Sequence, residues 1–148
     1  MNLFGILDVS GSALLAERQR AEVVTSNLAN AETTHTAAGG PYKRVNVVFG
    51  AHPIASSHGF EATLASLSDL HTEGVHVDRV VEDSTPPIRK FEPGHPDADA
   101  EGYVSYPSIN PVEEMVNLMG AARSYQLNVS AVQSTKNMIQ ASIDILKA

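Results

Sequence analysis

A mainly α fold with a small β insert is predicted, an antiparallel coiled coil of long N- and C-terminal helices around a short β-rich middle. Three observations lead there. Both terminal stretches repeat apolar residues at helical spacing, the stretch between them carries period-two valines among prolines and glycines, and aromatics are only 5% with no Trp. A core poor in large rings is built from Ala, Val, Leu, Ile and Met, which suits helix-on-helix packing better than a large β-sandwich. The expected organisation is residues 1–32 as the N-terminal helix of the core, 33–109 as loop and insert, and 110–148 as the C-terminal helix.

The first helix is expected from about residue 3 to about residue 30. Leu3, Leu7, Leu14, Ala21, Val24, Leu28 and Ala31 fall on an alternating three-four pattern, with Ser10 and Glu17 as polar entries that weaken the seam. Those two residues predict partial disorder of the terminal segments in the free monomer. Gly11 costs about 1 kcal/mol against Ala within a helix and is a candidate bend or close contact. Thr33 to Pro41, with Gly39 and Gly40, reads as a loop.

Val45, Val47 and Phe49 then mark a short strand ending at Gly50, followed by a polar loop over 52–59. Phe60 to Leu67 reads as strand or a turn of helix, Val75 to Val81 alternates as a strand, and Pro86 to Lys90 is extended because prolines fix its backbone. Glu92 to Gly102 is loop material. Tyr103 to Tyr106 makes at most a short edge strand that Pro107 ends.

The last helix has the fullest start signal. Asn110 suits the N-cap, Pro111 the first helical position, and Glu113 the place from which a capping-box acid reaches back. Val112, Met115, Met119, Ala122, Val129, Val132, Ile139, Ile143 and Leu146 recur at spacings of three, four or their sums. A helix of about 37 residues is roughly 55 Å long and needs a partner of similar length, which only the other terminus supplies.

The formal charge of −7 argues against a nucleic-acid-binding surface, and its placement says more than its total. Three acids and two bases precede Glu32, eleven acids and five bases lie between Glu32 and Asn110, and three of each follow. Neutral ends suit packing on protein, and the acidic middle suits solvent. With no Cys there is no disulfide and no thiolate metal site. The absence of long apolar runs and of a basic n-region predicts neither a transmembrane helix nor a secretory signal, hence a cytosolic chain by ordinary rules.

Candidate chemistry is sparse. His35, His52, His58, His71, His76 and His95 show no His-x-x-x-His pair, so no metal site is expected. Asp97, Asp99, Glu101 and Gly102 imitate the opening of a calcium loop, but Ser108 stands where a bidentate Glu must close it. Asn128-Val129-Ser130 matches a glycosylation acceptor inside a helix and is read as accidental. Glu113 and Glu114 are adjacent on a helix, point in different directions, and both suit its positive N-terminus. No nucleophile elbow or phosphate-cradling glycine loop is present, and neither an enzyme, a cofactor nor a small-molecule substrate is expected. The conspicuous feature is a set of helix amides, Asn27, Asn30, Asn117, Gln126, Asn128, Gln133, Asn137 and Gln140, suited either to specific helix-to-helix contacts between subunits or to plain polar surface.

Two segments carry a family resemblance. Ser26-Asn27-Leu28-Ala29-Asn30-Ala31-Glu32-Thr33 resembles the N-terminal signature of flagellar rod, hook and hook-associated proteins. Asn110-Pro111-Val112-Glu113-Glu114-Met115-Val116-Asn117, with Ala122-Arg123-Ser124-Tyr125-Gln126 and Asn128, resembles their C-terminal signature. Pro41-Tyr42-Lys43-Arg44 and Gly102-Tyr103-Val104 are most similar to the C-type basal-body rod group of the proximal rod.

The resemblance implies a structural subunit that pairs its termini, packs beside itself and other rod proteins into a hollow helical tube, and contacts the membrane ring and export-gate base. It also implies passage through the flagellar type III channel without a cleaved signal, which reverses the cytosolic inference. Asn27, Leu28, Ala29, Asn30, Glu113, Met115, Val116, Asn117, Arg123, Tyr125, Gln126 and Asn128 are the subunit-contact residues it suggests. A small helical adaptor or export chaperone is the competing reading.

Overall fold

The computed structural model describes residues 3–53 and 73–147, so the expectation for Phe60 to Leu67 lies outside the described residues. In chain order the elements are α1 (Leu3–Ala29), β1 (Val45–Pro53), β2 (Glu73–Glu82), β3 (Ile88–Phe91), β4 (Tyr103–Tyr106) and α2 (Pro111–Lys147). Both helices run where their periodicity predicts. Helix α1 continues through Gly11, and a Cβ there would meet no atom within 4 Å, so Gly11 is not a point of close contact. At the start of α2, Asn110 Oδ1 accepts from Val112 N–H at 3.1 Å, the expected cap. Glu113 does not complete a capping box; its carboxylate lies 3.6 Å from Arg44 instead.

Strand β1 runs three residues beyond Gly50 to Pro53, so part of the segment expected as polar loop is paired. Gly50 permits this because a side chain there would sit 2.8 Å from the His76 ring on β2. β1 pairs with β2 and β3 pairs antiparallel with β4, giving two two-stranded sheets among the described residues. In the second, Ile88 faces Tyr106 and Phe91 faces Tyr103.

The chain forms two compact units that divide both helices. One draws on described residues 3–19, 49–53, 73–78 and 121–147; here Ser10 and Ala16 of α1 and Ala121 and Thr135 of α2 are buried, and Ser12 Oγ accepts from Val75 N–H at 3.1 Å. The other draws on residues 20–48 and 79–120, with Val24, Asn27, Val104, Ile109 and Glu114 buried. The start of α1 shares a unit with the end of α2, and the end of α1 shares one with the start of α2.

The inward face of α2 differs from its sequence expectation. Glu114, Ala121 and Thr135 are buried, and Asn117, Ser124, Asn128 and Ala131 are half-buried, at alternating spacings of three and four. The apolar residues read as the seam, Val112, Met115, Met119, Val129, Ile143 and Leu146, are exposed. Small and polar side chains let two backbones approach closely, whereas methionines and leucines hold them apart. Among the described residues Ala16, Val24, Val104, Pro107, Ile109 and Ala121 are buried apolar side chains, against nineteen exposed large ones.

Candidate assembly site

Two features of the second unit stand out, a buried polar network and an exposed apolar stripe. The network centres on Asn27, in the last turn of α1 and 1% exposed. Its Nδ2 donates to Val45 O at 2.8 Å and to Glu114 Oε2 at 3.2 Å. Its Oδ1 accepts from Val45 N–H at 2.9 Å and from Tyr42 O–H at 3.2 Å. Every bonding direction of the amide is used, so it imitates a strand neighbour for the first residue of β1 while holding α2.

The loop after α1 makes this possible. Tyr42 N–H returns to Thr33 O at 3.0 Å and Thr36 N–H to Gly40 O at 2.9 Å, a reversal that needs positive φ at Gly39 (+88°) and Gly40 (+74°). Arg44 then lies beside α2, with Nη2 2.6 Å from Glu114 Oε1 and 3.6 Å from Glu113 Oε1. Neither Glu114 Oε1 nor Arg44 Nε makes a directed hydrogen bond. The contact is therefore an ion pair held by distance rather than angle, and it answers a carboxylate that is 1% exposed. Asp83 N–H donates to Arg44 O at 2.7 Å, tying the residue after β2 to the same point.

The stripe lies on the far side of the same helix turns. Val112, Met115, Val116 and Met119 occupy positions i, i+3, i+4 and i+7 and are each more than half exposed, Met119 reaching 71%. At 100° per residue their mean direction lies about 150° round the axis from Glu114. In the first unit, Leu127, Met138 and Ile145 are exposed at spacings of eleven and seven.

Surface contacts add to the backbone pairing of the hairpin β3–β4 and the burial of Val104. Phe91 and Tyr103 meet edge to face at 5.3 Å, Arg89 lies 4.9 Å from the Tyr103 ring centre, and Lys90 lies 4.6 Å from that of Tyr106. Asp99 organises the connecting loop by accepting from Glu101 and Tyr103 N–H at 2.9 and 2.8 Å and pairing with Arg89. The Tyr103 backbone bond, with the Arg89 contact behind it, holds the Asp99 carboxyl below the ordinary aspartate range. The Tyr106 hydroxyl donates to Glu92 at 2.8 Å, and that bond raises its pKa. The calcium-like acids thus serve a turn, and among the described residues no group of three or more His, Asp or Glu is placed to hold a metal.

Of the residues the resemblance suggested, Asn27 is buried in the chain's own network. Leu28, Asn30, Asn117 and Asn128 are half-buried, while Ala29, Glu113, Met115, Val116, Arg123, Tyr125 and Gln126 are exposed. Several amides bond locally: Asn30, just past α1, to Ser26 O, and within α2 Asn128 to Ser124 O, Gln133 to Asn137 and Gln140 to Asp144. Tyr42, Arg44, Val45 and Glu114 were not among the suggested residues. The legible trace of Glu114 was its place at the head of the small and polar series 114, 117, 121, 124, 128.

Comparison with known proteins agrees with this architecture. Residues 7–34 match the family described as "Flagella basal body rod protein", and residues 100–145 match "Flagellar basal body rod FlgEFG protein C-terminal". Among curated relatives, the flagellar basal-body rod protein FlgC of Escherichia coli O157:H7 is 41% identical over 94% of both chains. That of Bacillus subtilis is 37% identical over 99% of this chain and all of its own. The Borreliella burgdorferi protein is 34% identical over 99% of both. The chain belongs to the FlgC family of flagellar basal-body rod proteins. It is a structural subunit of the rod, and its location is the basal body. FlgC membership makes sense of a chain whose small side chains face inward and whose large apolar ones face out. Among the described residues no helix is long and apolar enough to cross a membrane.

Proposed function

We propose that this FlgC chain is a non-catalytic unit of the proximal rod, packing against copies of itself and against other rod proteins through the outward apolar face of α2. The export-gate base and membrane ring are its expected neighbours at one end, and flagellar type III export its route. In this reading residues 1–32 and 110–148 make the packed wall of the tube and residues 33–109 its outer decoration.

The observation that carries the proposal is the stripe Val112, Met115, Val116 and Met119. Four large apolar side chains on one face form a contiguous patch of the kind that marks a protein interface, and burying each fully is worth about 1.5–3 kcal/mol. A surface with no net charge on its helix suits lateral repetition, since like charges would meet in every copy.

Met119→Asp tests this directly. Because the side chain is exposed, the isolated chain should keep its stability within about 0.5 kcal/mol. Cells carrying it should lack assembled rods and be non-motile. Normal motility with normal rods would reject the stripe as an assembly face.

A further inference from the structure

The first turns of α2 are built inside out, and the polar network explains how that arrangement persists. Glu114 and Asn117 point into the protein while Val112, Met115, Val116 and Met119 point to water. Hydrophobic burial favours the opposite rotation, with the apolar face turned inward and the carboxylate outward. We propose that the Asn27–Arg44–Glu114 network is a rotational latch that keeps the apolar stripe displayed. The proposal rests on the reading of that stripe as the assembly face.

The geometry fits a latch better than a simple staple. Glu114 is the buried charge of the network, and both its oxygens are held by groups from other segments: Oε1 by Arg44 ahead of β1, Oε2 by Asn27 of α1. Turning α2 by about 150° to hide the stripe would strip both partners at once, leaving the Asn27 amide short of an acceptor and the Arg44 cation short of its nearest carboxylate. Asn27 cannot follow, because its amide is committed to both backbone groups of Val45, and Arg44 is anchored at its main chain by Asp83 N–H on its carbonyl. Removing the cation reverses the balance: Glu114 then gains by reaching water, and the same rotation buries the stripe.

The chain has no Cys, so one introduced thiol reports on one position. Met119→Cys reads the stripe, and Val104→Cys, at a position 0% exposed, reads global folding. Thiol labelling of the full chain is followed in three backgrounds: unchanged, Arg44→Met, and Arg44→Met with Glu114→Leu. Arg44→Met should slow labelling at position 119 about 10-fold, the mark of an exposed state reduced to a tenth of its population. Adding Glu114→Leu, which prefers the inward position, should restore the rate, and position 104 should stay protected throughout.

An unchanged rate at 119 in the Arg44→Met chain, or no recovery on adding Glu114→Leu, overturns the latch. Rapid labelling at 104 in Arg44→Met also overturns it, since the network would then be a staple of the whole fold. Normal assembly of the Met119→Asp chain would sink the assembly reading alone, because the labelling rates report on helix rotation whether or not a rod forms.

Discussion

Replacing Asn27 by Asp is the sharpest perturbation the structure offers, because it keeps shape and changes one donor into a charged acceptor. The present Nδ2 sits 2.8 Å from Val45 O and 3.2 Å from Glu114 Oε2. A carboxylate oxygen there loses both bonds and faces two acceptors, one of them ionised. With Asn27 and Glu114 each 1% exposed, solvent screens little of this. An unsatisfied buried group costs about 1–3 kcal/mol and a broken buried charge contact about 3–5, so a loss of roughly 3–5 kcal/mol is expected from a typical total of about 5–15.

The loss should depend on pH with a definite sign. Burial and the Glu114 charge both favour the protonated form of the new carboxyl, so its pKa in the folded chain lies above its unfolded value. Protonation then stabilises the fold, and the deficit of Asn27→Asp against the unchanged chain should narrow as pH falls from 7 to 5. Urea unfolding followed by far-ultraviolet circular dichroism at both pH values measures it. A loss under about 1 kcal/mol at pH 7, or a deficit that widens on acidification, would refute the account of Asn27 as a filled node.

Gly102→Ala should destabilise the β3–β4 hairpin by about 1–3 kcal/mol, since φ is +83° there and a Cβ would meet the Phe91 ring at 2.9 Å; thermal unfolding reads the change. Asp99 should titrate below the ordinary aspartate range by NMR, and Arg89→Gln should move its midpoint upward. Because its folded pKa is depressed, the hairpin's benefit is present above the unfolded aspartate value and is lost as pH falls through the folded one. Amide exchange in the unassembled chain should be graded, with residues 24–27 and 114–118 protected and residues 140–147 of α2, all exposed, exchanging fastest. Uniform protection along α2 would contradict that gradient.

The helices, the short strand at Tyr103 and the loop at Gly39 and Gly40 were legible because each depends on local chemistry, whereas the pairing of that strand with Ile88–Phe91 was not. Asn110 caps α2 in the structure by the bond its position suggests, and the alternating valines around Val75 do lie in a strand. The inward face of α2 was less legible. Periodicity marked its apolar residues, and the usual inference places these inside. That inference assumes a chain that completes its own core, whereas here the burial falls on Glu114, Ala121 and Thr135.

Sequence alone determined where the helices run, the bounds of the strand Tyr103–Tyr106, the acidic middle, and the two terminal signatures that mark a flagellar rod protein. Those features are encoded by neighbours within a few residues and survive without a tertiary context. Only the tertiary structure decided which face of α2 turns inward and that Tyr42, Arg44 and Glu114 close around Asn27. Residues separated by up to 87 positions meet there, and no local spacing records such a meeting. The rotation of a helix is set by what stands opposite it, and opposite Glu114 stand an arginine and an amide that hold its charge inside.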